Sequence, residues 1–166
     1  QHSDLVVEGT VRDRASGEDE SGQIYTDWEI EVAKTYWGDD RPQRTVRLPG
    51  GVLSSGKATI VPGMPRLSEG EDVVLLLGQE SVDGLRMPVG LSQGKYRRTT
   101  SPGGPRTAVQ TGDHVSLIRA RATRAVEGLE MRDYADLGSR IESAAQARRA
   151  TELAPTASAT GAEKED

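Results

Sequence analysis

The chain has 166 residues, with 26 acidic against 21 basic side chains, a formal charge of −5 and only 34% hydrophobic residues. That balance leaves no basic excess to neutralise phosphates and argues against nonspecific nucleic-acid binding. The lack of cysteine excludes disulfides, thiol catalysis and thiolate zinc sites.

The length suits one domain with its own core plus a tail, here residues 1–150 and 155–166. No stretch approaches the roughly 20 apolar residues that span a bilayer. The first residue is Gln1. Removal of a signal peptide or simple trimming leaves such a start, and the former, taken as the expectation, implies export to the periplasm or beyond. With no Phe, the large rings are Tyr25, Trp28, Tyr36, Trp37, Tyr96 and Tyr134, so Val, Leu and Ile must fill most of the interior.

Alternation around Leu5, Val7, Gly9 and Val11 predicts a first strand over residues 4–12, followed by a polar loop from Asp13 to Gly22. A second strand is expected from Ile24 to Tyr36. Ile24, Thr26, Trp28, Ile30, Val32 and Lys34 share one face, while Glu29 and Glu31 lie on a wet opposite face. A strand this long must bend, as barrel strands do. Trp37 to Pro42 reads as a turn, Thr45 to Leu48 as a short strand ended by Pro49-Gly50-Gly51, and Ala58 to Val61 as one short strand in an irregular stretch.

The most diagnostic segment is Val73-Val74-Leu75-Leu76-Leu77 between Gly70-Glu71-Asp72 and Gly78, five apolar residues that suit a strand buried on both faces. Leu85 to Leu91 and Lys95 to Arg98 then predict a hairpin across Ser92-Gln93-Gly94. Thr99 to Pro105 reads as a mobile loop, and Val115 to Ile118 gives a weak strand signal. A helix is expected over about 133–152, capped by Asp133, with Tyr134, Leu137, Ile141 and Ala144 or Ala145 on one face. The Pro-, Thr- and Ser-bearing tail buries too little to order itself.

Several motifs together, Asp4 to Val11, Ile24-Tyr25-Thr26, Pro49-Gly50-Gly51, Gly63-Met64-Pro65, Gly70-Glu71 and Val89 to Tyr96, followed by the helix, resemble a loose family of exported bacterial proteins of unassigned function. More remotely, the first half resembles the netrin-like domains of tissue inhibitors of metalloproteinases. That resemblance implies an OB-type five-stranded barrel and an inhibitory role through the N-terminal edge. Those inhibitors chelate zinc through an amino-terminal cysteine, whereas this chain begins with Gln1 and has none.

Candidate chemistry is sparse. His2 and His114 are the only histidines; a copper-holding terminus and a general base beside Asp113 are weighed against bystander roles. Glu18-Asp19-Glu20 and Glu69, Glu71 and Asp72 offer oxygen ligands without calcium-loop spacing, and solvated loops are the preferred reading. Glu29 and Glu31 resemble paired carboxylates but read better as a solvent stripe. Gly90-Leu91-Ser92-Gln93-Gly94 matches a nucleophile elbow in the wrong context, since no helix follows.

The expectation is therefore an all-β, small OB-like barrel packed by one amphipathic C-terminal helix. It would work as a non-enzymatic exported module with a protein partner and without cofactor or metal. The alternatives are a protease-inhibitor-like domain and a hydrolase using Ser92. The residues expected to bind are Tyr36, Trp37, Tyr96 and Arg97; Trp37 serves either as an exposed anchor or as a cap folded over the barrel end.

Overall fold

The computed structural model describes residues 3–100, 106–110 and 131–153. The expected strand at 115–118, the loop core at 101–105, both histidines and the tail beyond residue 153 lie outside these residues. Two long strands, β1 (Leu5–Glu18) and β2 (Ile24–Trp37), pair antiparallel from Val6↔Trp37 to Glu18↔Ile24. The expected loop at 13–22 is thus mostly strand. Its polar side chains point to solvent while the ladder satisfies the backbone, and the turn shrinks to a few residues around Asp19. There the Asp19 carboxylate accepts hydrogen bonds from the Ser21 N–H (2.9 Å), the Ser21 hydroxyl (2.7 Å) and the Gln23 N–H (2.9 Å).

β3 (Gln43–Pro49) extends the meander on β2. A small ribbon follows, β4 (Gly51–Val52) with β5 (Ala58–Thr59). β6 (Asp72–Glu80) then lies against the free edge of β1, pairing Leu5↔Leu77 through Thr10↔Asp72. β7 (Arg86–Pro88) returns along β6, and Leu85 makes a single parallel bridge to Arg47 of β3. The strand series β3-β2-β1-β6-β7 therefore wraps into an OB-like, barrel-like sheet that is not closed, with that one bridge across its seam.

The expected hairpin at 85–98 is corrected here. After β7 the chain makes one 3₁₀ turn (Leu91–Gly94) and continues as β8 (Lys95–Thr100), which pairs with β6 rather than β7. β7 and β8 are two pieces of one return path. Gly94 permits the tight re-entry, because a Cβ there would lie 2.7 Å from the Val89 carbonyl oxygen and 2.8 Å from that of Leu76. β9 (Arg106–Gln110) and β10 (Met131–Asp133) extend the sheet past the barrel, and α1 (Tyr134–Leu153) packs on β2, β9 and β10.

The core inside the wrap consists of Leu5, Val7, Val11, Trp28, Ile30, Val46, Leu48, Leu67, Val73, Leu75 and Leu77. Each fully buried Val, Leu or Ile contributes about 1.5–3 kcal/mol relative to exposure. The expected inward face of β2 holds for Ile24, Thr26, Trp28 and Ile30, which are buried. It fails at Lys34. Glu8 and Gly9 are adjacent in β1 yet pair with Lys34 and Val32, so Ala33 is an extra residue in β2. A bulge of this kind inverts side-chain alternation beyond it, sending Lys34 to the outer face with Glu8.

Candidate functional site

Outside the barrel, a second cluster gathers Val6, Tyr36 and Val74 with Trp37, Leu76, Tyr96, Tyr134 and Ile141. Three of the four residues expected to bind thus meet on one face, beneath α1. Tyr36 is 6% exposed, which corrects the expectation that it is a surface ring. Trp37 is not a turn tip: it ends β2 opposite Val6, half-buried, with the Arg148 and Arg149 guanidiniums 4.5 and 5.5 Å from its ring centre. Arg97 does not join them. It pairs with Val73, whose side chain is in the barrel core, and stays exposed while its neighbours Tyr96 and Arg98 face the helix side.

A polar network threads this cluster. The Tyr36 hydroxyl donates to Glu8 Oε2 at 2.9 Å, and Arg98 reaches Glu8 Oε1 at 3.5 Å and also binds Asp72. The Thr10 hydroxyl donates to Asp72 Oδ1 at 2.6 Å. The Thr10 bond, followed by Arg98, holds the Asp72 carboxyl below its usual value despite partial burial. Burial first, and then the Glu8 carboxylate, push the Tyr36 hydroxyl well above the usual tyrosine value and that of Tyr134 up to about 12. The Tyr134 hydroxyl is buried beside Glu8 and Arg98.

The N-terminal edge invoked by the inhibitor resemblance is tied into the same side of the molecule. The Asp4 N–H donates to the Leu77 carbonyl at 2.8 Å, Arg148 donates to the Ser3 carbonyl, and Arg148 lies 3.5 Å from the Asp4 carboxylate.

Of the acidic groups singled out as cation ligands, the second cluster is matched residue by residue to bases. Glu69 faces Arg14 at 3.6 Å, Asp72 is held by Arg98, and Glu71 meets Lys95 at 2.8 and 2.9 Å. The Lys95 and Glu71 side chains are only 5% and 11% exposed; Lys95 also donates to the Arg66 carbonyl, and Glu71 accepts from the Ser68 N–H at 3.1 Å. This buried pair fastens the 66–71 loop, with its buried Leu67, to β8. Glu18 is paired with Lys57, and Glu31 with Arg12, while Glu29 is exposed. Among the described residues no group of three or more His, Asp or Glu side chains is placed to hold a metal. Ser92 sits in the 3₁₀ turn, where its N–H donates to the Gly63 carbonyl at 2.9 Å.

The structure adds a surface that the sequence reading passed over. Among the described residues the large apolar side chains left exposed are Val52 (64%), Ile60 (84%), Val82 (105%) and Met87 (44%), in or beside the ribbon β4–β5 and in the β6–β7 return. Both elements meet the C-terminal half of β3. Arg47 bridges Leu85 and donates to the Asp83 carbonyl at 3.4 Å, and the backbone at Gly50 abuts Thr59 and Val61. A signal existed in the sequence: Val52 and Val82 are apolar residues set in Gly- and Ser-bearing loops. No protein-family model matches this chain, and no curated protein or solved structure matches it either.

Proposed function

We propose that the chain is a non-enzymatic binding module that takes a protein partner on the seam side of its barrel, through Val52, Ile60, Val82 and Met87. The observation that carries this reading is that, among the described residues, the exposed large apolar side chains fall in two segments that both meet β3. Apolar side chains grouped rather than scattered leave burial energy that a partner claims. Charged residues on and beside these elements are paired, Lys57 with Glu18, Arg86 with Glu80 and Arg47 with Asp27. An apolar centre among satisfied charges is the usual make-up of a protein interface.

The test is capture with purified chain as bait beside an Ile60→Asp/Val82→Asp variant and a Trp37→Ala variant, with melting of each recorded. Specific capture lost from the double variant at unchanged melting, and kept by Trp37→Ala, supports the seam surface. The reverse pattern moves binding to the face under α1. Stoichiometric inhibition of a metalloprotease, or ester turnover abolished by Ser92→Ala, replaces this reading with the inhibitor or the hydrolase.

A further inference from the structure

From its fastenings we infer that α1 is a strap that opens as a unit while the barrel stays folded, and that opening uncovers Tyr36, Trp37 and Tyr96. This goes beyond the seam surface and concerns the opposite partition of the molecule. Within α1 only Leu137 is buried among the described side chains; Tyr134, Gly138, Ile141, Ala145 and Arg148 are half-buried and the rest are exposed. From Glu142 to Glu152 the helix offers the sheet no large apolar side chain. The far half is held by the arginine stack on Trp37, by Arg149 donating to the Tyr36 carbonyl at 3.3 Å, and by ion pairs of Arg148 with Asp4 and Glu142 with Lys34. Ion pairs this exposed contribute little in water.

The sheet beneath is secured independently of the helix. β1 and β6 pair along Leu5 to Thr10 and contribute Leu5, Val7, Val73, Leu75 and Leu77 to the inner core. A segment with few buried apolar side chains lying on a well-packed sheet is the kind that opens below the global unfolding free energy. The strip it covers is apolar, with Tyr36 and Trp37 on β2, Tyr96 on β8, and Val6 of β1 and Val74 and Leu76 of β6 between them.

Native-state amide hydrogen exchange on the full chain tests this, comparing wild type, Leu137→Ala and the milder Ile141→Ala. The expected result is lower protection across α1 than in β1 and β6. In Leu137→Ala, α1 exchange should rise by about 30-fold or more, the factor matching truncation of a buried leucine, with β1 and β6 unchanged. If Leu137→Ala fails to fold, Ile141→Ala reads the same contrast. Equal protection in α1, β1 and β6 overturns the inference, since the helix then leaves only on global unfolding. So does a protection gradient that merely decays toward Leu153, which is end fraying.

Discussion

Replacing Lys95 with Met isolates the Glu71 carboxylate inside the fold. In the native protein Lys95 donates to both Glu71 oxygens, at 2.8 and 2.9 Å, and to the Arg66 carbonyl. After the substitution the carboxylate, 11% exposed, keeps the Ser68 N–H at 3.1 Å. Breaking a buried pair by removing one partner costs about 3–5 kcal/mol, because the remaining charge is desolvated without compensation. For a chain of this size that is a melting decrease of roughly 6–20 °C, at about 2–4 °C per kcal/mol. The double variant Lys95→Met/Glu71→Leu removes both charges and is expected to lie within about 1 kcal/mol of wild type or above it. Urea unfolding of wild type, Lys95→Met, Glu71→Leu and the double variant gives the coupling directly from the cycle. A cost below about 1 kcal/mol for Lys95→Met alone, the range of an exposed pair, would refute the claim that this pair is desolvated and fastens the 66–71 loop.

Asp72 has a folded-state pKa below the usual aspartate value, set by Thr10 and then Arg98. Its contribution is present above the unfolded value and is lost as pH falls through the folded one, so Asp72→Asn should flatten the acid limb of the stability profile below about pH 4. Tyr134 has the opposite sign: with its pKa raised from 10.0 to about 12, its contribution is complete below pH 10 and lost between 10 and 12. Tyr134→Phe should therefore soften the alkaline loss, read as a smaller drop in urea-unfolding stability between pH 10 and 12 than in wild type. Gly9→Ala would drive a Cβ to 2.3 Å from the Glu31 carbonyl oxygen beside the β2 bulge. A loss at or above the upper end of about 1–3 kcal/mol for overpacking is expected in urea unfolding, and a silent substitution would mean that β1 and β2 are not this close.

By itself the sequence determined the elements whose signals are local. The alternation of Leu5, Val7 and Val11, the β2 face from Ile24 to Ile30, the apolar run of β6 and the spacing of Tyr134, Leu137 and Ile141 all coincide with buried or half-buried positions. Burial enforces those periods residue by residue, so they are visible without partners. Pairing is not local. The bulge at Ala33 that turns Lys34 outward, the attachment of β8 to β6 instead of β7, and the extension of β1 through Glu18 depend on which strand lies alongside. The same holds for the surfaces. Tyr36, Trp37 and Tyr96 read as separate exposed rings until the sheet and α1 bring them into one cluster. Lys95 reads as a solvated base until the 66–71 loop closes over it. The segments that expose Val52, Ile60, Val82 and Met87 both meet β3 only once the ribbon and the β6–β7 return are folded onto it. Local periodicity records what each segment must bury, whereas register and closure decide which buried and exposed side chains become neighbours.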